Sequence, residues 1–212
     1  MHQSASFDKA LNAQQRRLMD RLDSPARIQE YLDTLTYSAD PFYRCPLRVL
    51  NDGLAHCFDG ALFAAAALRR IGYPPLILDM IPNERDDDHL LALYNIDGYW
   101  GAVAKSNFVG LRFREAIHRN LRELVLSYFE QYYNVEREKT LRGYTVALDL
   151  ARFDDVNWMT EDTHLERIAE KLDQIRRFTL LTPAMVRQLS AVDERSARAG
   201  MVGVNEAGLF RP

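Results

Sequence analysis

Cysteine is nearly absent from this 212-residue chain, which has only Cys45 and Cys57. Two thiols cannot form the disulfide framework of a small secreted scaffold; they fit a reducing compartment, and the cytoplasm is the expected location. Long apolar runs are also missing. No stretch reaches the ~18 residues that a membrane-spanning helix needs, so no membrane partner is expected. The opening MHQSASFDKALNAQQRRLMDRL carries charges throughout and has no apolar central block, unlike a secretory leader. Nor is there an excess of one charge: 27 Lys and Arg stand against 30 Asp and Glu, a net of −3. That balance argues against a nucleic-acid binder held by bulk electrostatics. Internal repeats and low-complexity linkers are lacking as well. A single domain is expected over 1–212, with a core at about 41–150 and a helical extension over 151–212.

What is present is an ordinary globular composition, 47% hydrophobic and 27% charged. Apolar spacing predicts a helix from Phe7 to Leu22 and a second from Ser24-Pro25 to about Leu35. Asp40-Pro41 and Cys45-Pro46 mark irregular chain. Phe58 to Ile71 reads as a strong helix rich in Ala and Leu, ended by Gly72 and Pro74-Pro75. The period then changes. Leu76–Ile81, His89–Ile96 and Tyr99–Ala104 read as strands, the last two joined at Asp97-Gly98 as a hairpin. Ala116–Tyr133 returns to helical spacing, and its Tyr128, Phe129, Tyr132 and Tyr133 are candidates to wall a groove. Tyr144–Leu150 reads as another strand, and Thr163–Phe178 and Thr182–Arg198 as amphipathic helices. From Gly200 onward no regular element is expected. Consecutive strands joined by short turns imply an antiparallel sheet, hence an α+β fold with a central cysteine-bearing helix packed on it.

Cys57 stands where loop gives way to helix. A helix N-terminus stabilises an anion, and a thiolate is the reactive form of cysteine. The competing reading is a small apolar residue at the start of a core helix. A nucleophile needs a base, and His89, opening a strand after Asp86-Asp87-Asp88, is the best placed. His56 is adjacent to Cys57 and unsuited to face it, while His118 and His164 fall on predicted helices and are expected to face solvent. Ser106 or Asn107, at the end of the second hairpin strand, are the candidates to orient the imidazole. A metal site at Asp86–His89 is disfavoured because adjacent residues cannot all face one ion, and no cofactor is expected.

The order of these features resembles the transglutaminase-like superfamily, which has a papain-like cysteine-enzyme core. The resemblance rests on Cys57-Phe58-Asp59, the helix ending Leu68-Arg69-Arg70-Ile71-Gly72-Tyr73-Pro74, the strand opened by His89, and Gly98-Tyr99-Trp100. It covers about Leu54 to Asn107. It implies that Cys57 attacks an acyl carbonyl and that His89 serves as base and then acid, in hydrolysis of a peptide or amide or acyl transfer to an amine. The family's third member, an aspartate about four residues after the tryptophan, is replaced here by Ala104. That leaves an altered triad using Ser106 or Asn107, a Cys–His dyad, or an inactive relative that binds a peptide or protein partner.

Overall fold

The order of elements follows from local chemistry that the apolar pattern does not report. In the computed structural model, which describes residues 2–212 with side chains from Ser6 onward, the first expected helix is two. Helix α1 (His2–Ala10) ends at Leu11, and α2 (Ala13–Arg21) starts after Asn12. The Asn12 side chain accepts from the Gln14 and Gln15 N–H groups, and the Gln15 side chain accepts from the Asn12 N–H. This reciprocal cap satisfies helix donors that a continuous helix would have bonded to carbonyls, so the chain breaks there. Helix α3 (Pro25–Thr34) has Ser24 as its cap, as expected. The two-residue strand β1 (Thr36–Tyr37) then pairs in parallel with β2 (Leu54–Ala55), with α4 (Pro46–Asp52) between them.

Helix α5 (Cys57–Arg70) is the centre of the molecule. Every residue from Phe58 to Leu68 is buried, and the Ala61 to Leu68 run reads as apolar all round because neighbours cover every side. It lies on an antiparallel sheet built from β3 (Leu76–Pro82), β4 (His89–Ile96), β5 (Tyr99–Val103), β6 (Arg114–His118), β7 (Leu141–Thr145), β8 (Leu148–Asp149) and β9 (Arg177–Thr179). The strand order is β6-β5-β4-β3-β7-β9, with β8 also pairing β3. The α+β reading therefore holds. The β4–β5 turn holds Asp97 at φ 51° and Gly98 at φ 89°, the left-handed pair a tight hairpin requires.

Strand alternation divides the core in two. Leu90, Ala92 and Tyr94 of β4 pack on the α5 side, while Leu91 and Leu93 pack on the opposite side against α6 (Leu121–Leu126) and Tyr128. Here the sequence reading needs correction. Arg114–His118 is an edge strand, not helix, and its burial alternates with period two, leaving Ile117 69% exposed. Asn120 then caps α6. His118 is accordingly buried, with Nδ1 3.1 Å from the Trp100 carbonyl, rather than facing solvent. His164 is exposed, as expected, although in a turn. The C-terminal helices are shorter than their periodicity suggests: α7 (Glu166–Gln174) gives way to β9, and α8 (Pro183–Val186) is separate from α9 (Glu194–Gly200). No helix among the described residues is long and apolar enough to cross a membrane.

Candidate functional site

Cys57 is held by a network that its own helix start creates. His56 is the N-cap of α5; its Nδ1 accepts from the Asp59 N–H, and the Asp59 carboxylate accepts from the His56 N–H. Asp59 is fully buried and also accepts from the Arg44 N–H at 2.7 Å. The buried Arg44 guanidinium reaches Asp59 at 3.7 Å, Asp52 at 3.1 Å, Ser38 at 3.0 Å and the Asp40 carboxylate. Burial pushes Asp59 up to about 7, against the downward pull of these donors. One carboxylate thus ties the chain before Cys57 to the chain before α4.

Cys57 as a residue is half-buried. The thiol donates to the Asp88 carbonyl at 3.9 Å, the Leu90 N–H faces the sulfur, and the Tyr37 hydroxyl interacts with both the side chain and the main-chain N–H of Cys57. The sequence places this thiol at a helix N-terminus, where its pKa should fall. In the structure it is raised well above its ordinary value, first by burial and then by the carboxylates of Asp88 and Asp87. Desolvation and two nearby anions outweigh the field of one helix end. Cys45 is buried, with its thiol pushed up to about 12 chiefly by desolvation, and is unpaired.

His89 lies close in sequence to these groups but faces elsewhere. It is 5% exposed, and its Nε2 is 2.8 Å from the Leu111 carbonyl. A carbonyl only accepts, so Nε2 carries the proton and Nδ1 keeps its lone pair. Burial lowers the ring to about 4, which keeps it neutral. Since β4 alternates, Leu90 projects toward α5 and His89 toward the other face, level with Met80 of β3. Ser106 and Asn107 line the same small cavity as His89. However, the Ser106 hydroxyl accepts from the Phe108 N–H at 3.0 Å, and both ends of the Asn107 amide bond the main chain of Asn205, at 2.9 and 2.8 Å. The orienting group for the imidazole is therefore the Leu111 carbonyl, which sequence order could not suggest because a carbonyl leaves no residue signature.

Two cavities meet at this point. The larger, about 380 Å³, contains Cys57, His56, Tyr43, Asp88 and Leu90, with α7 contributing Leu172 and Asp173. The smaller, about 60 Å³, contains His89, Ser106, Asn107, Tyr132 and Tyr133. Of the four aromatics, Tyr128 and Tyr132 belong to the core, with Phe129 packed against it, and Tyr132 and Tyr133 also line the smaller cavity. Five residues line both cavities: Tyr37, Asp87, Asp88, Gly208 and Phe210. Beneath them Asp79 of β3, paired in register with Leu90, is buried with its Oδ1 unpartnered; burial and then Asp88 push its carboxyl up to about 8. Tyr37, Asp79 and the segment around Gly208 were not singled out in the sequence. Asp79 alone carried a signal, a lone carboxylate in an apolar strand. No group of three or more His, Cys, Asp or Glu suited to a metal ion occurs among the described residues.

No family model and no curated protein matches the sequence. Among solved structures, LapG of Legionella pneumophila aligns with 14% identity and a TM-score of 0.35, over 49% of this chain and 70% of that one. The EGTA-treated form of LapG aligns with 13% identity and a TM-score of 0.37, over 54% of this chain and 73% of that one. A likeness this slight assigns neither family nor activity.

Proposed function

We propose that the protein is a thiol hydrolase or acyltransferase acting on a peptide or amide, with Cys57 as nucleophile and His89 as base, on a transglutaminase-like core. The observation that carries this reading is the place of Cys57: the first turn of a rigid, buried helix, with its sulfur opening into a cavity of about 380 Å³. In the reaction, which requires His89 and Cys57 to come within reach of one another past the shared wall of Tyr37, Asp87 and Asp88, the thiol proton passes to the free Nδ1 of His89 and the sulfur adds to the acyl carbon. The developing oxyanion takes the Cys57 N–H, a donor of the first α5 turn that lies beside the Tyr37 hydroxyl in the resting protein. Collapse breaks the carbon–nitrogen bond, and the His89 proton leaves with the amine. Water or a second amine then attacks the thioester. The test is acyl-thioester trapping on Cys57 with a peptide library, read by mass spectrometry. Cys57→Ala and His89→Ala should each abolish turnover, and Cys57→Ala should do so with the melting temperature near that of the parent.

A second reading, a peptide-binding relative without turnover, is favoured by a specific observation. The His89 ring is engaged by Leu111 in a cavity separate from a thiol whose pKa is raised. Saturable peptide binding that survives Cys57→Ala, with no thioester under any condition, would select it.

A further inference from the structure

The segment after α9 is anchored across the site. The Asn107 amide clamps the Asn205 main chain in both directions, the Asn205 side chain donates to the Tyr37 carbonyl at 2.8 Å, and its oxygen accepts from the Ala207 N–H at 3.2 Å. A 3-10 turn over Glu206–Gly208 follows. Gly208 lies flat on the Tyr37 ring: a Cβ there would sit 2.8 Å from ring carbon Cδ1 and 2.9 Å from Cε1. Ala207, Gly208, Leu209 and Phe210 all line the Cys57 cavity, and Gly208 and Phe210 also line the His89 cavity. Tyr37, with its ring against Gly208, lines the Cys57 cavity and carries its hydroxyl beside Cys57.

From this geometry we infer that residues 205–210 are an autoinhibitory strap, which holds Tyr37 beside Cys57 and covers both the Cys57 and the His89 cavity. Three of the five residues shared by the two cavities belong to the strap or to the tyrosine it holds. Lifting the strap withdraws Gly208 and Phe210 from both cavities and releases the Tyr37 ring, which uncovers Cys57 and leaves Asp87 and Asp88 as the wall the cavities share. The uncovered site then takes an extended peptide along the path of the strap, with a small residue where Gly208 rests against Tyr37. This inference rests on the proposed thiol chemistry for its consequence, but its geometry stands apart from that chemistry.

The experiment measures alkylation of Cys57 by iodoacetamide, resolved by peptide mass mapping, with buried Cys45 as the internal report of unfolding. Asn205→Ala removes the tie to Tyr37, and Gly208→Val forces a side chain into its ring. Each should raise Cys57 labelling at least tenfold while Cys45 stays protected. In the parent protein, low urea should raise Cys57 labelling together with amide exchange at Gly208 and Leu209, before Cys45 labels. This arm decides the matter even if both variants unfold. Cys57 labelling within twofold of the parent in the folded variants, or Cys57 and Cys45 labelling together in urea, overturns the strap. Faster labelling without any thioester leaves the strap standing and sinks the enzyme reading. Thioester formation at parental labelling rates does the reverse.

Discussion

At the scale of single residues, the site is governed by burial more than by charge pairing. Asp79 shows this most simply. The carboxylates of Asp88, Asp173 and Asp87 add to the effect of burial, Arg177 pulls the other way, and one of its oxygens is unpartnered. A carboxyl raised in the fold from its ordinary value to about 8 binds a proton that the unfolded chain has released. Its contribution to stability is full below its unfolded pKa and is lost as pH rises toward 8. Asp79→Asn should therefore be nearly neutral at pH 4 and stabilising at pH 8, and paired thermal melts at the two values check it. An asparagine that destabilises equally at both would mean the carboxylate is satisfied. Asp59 behaves differently because its oxygens bond Arg44 and His56. Asp59→Ala should cost about 3–5 kcal/mol in urea denaturation, since it leaves the buried Arg44 guanidinium short of a partner.

At the scale of elements, propensity and capping explain where sequence reading succeeded. Helix α5 was legible because its alanines, its terminal Arg69-Arg70 and the Gly72 stop agree with one another. The hairpin was legible because Asp97-Gly98 permits few other geometries. Leu62→Ala should cost about 2–5 kcal/mol by equilibrium unfolding, as for other fully buried leucines. Asn12→Ala should cost about 1 kcal/mol through the lost α2 cap. Arg114–His118 was not legible as a strand. Its residues suit either state, and edge pairing to β5 decides between them. The same holds for Arg177–Thr179, whose pairing with β7 ends α7. In both places a non-local hydrogen-bonding partner overrides a local period.

At the scale of the whole molecule, the buried titratable groups predict how stability depends on pH. Asp59, Asp79 and Asp88 have carboxyls raised to about 7, 8 and 6, mainly by burial. Their contributions shrink as pH climbs through those values. His56 and His89, lowered to about 4, act in the opposite sense: their contributions are full above the ordinary histidine range and lost as pH falls toward 4. The carboxyls outnumber the imidazoles, and Asp86 and Asp87 shift in the carboxyls' direction. Melting temperature should accordingly be higher at pH 5 than at pH 8, and a rise between the two would contradict this assignment.

The sequence by itself determined the α+β class, the central helix and the hairpin, and it suggested the two residues, Cys57 and His89, on which the proposed chemistry turns. These follow from local periodicity, caps and turns, which need no knowledge of distant chain. Only the tertiary structure decided that His89 answers to the Leu111 carbonyl, that Asn107 grips Asn205, and that the thiol is desolvated beside Asp87 and Asp88. Each of those joins segments far apart in sequence or depends on which face of a strand is covered. Solvent exclusion and main-chain partners set the site's electrostatics, and neither is written in the residue types that the site contains.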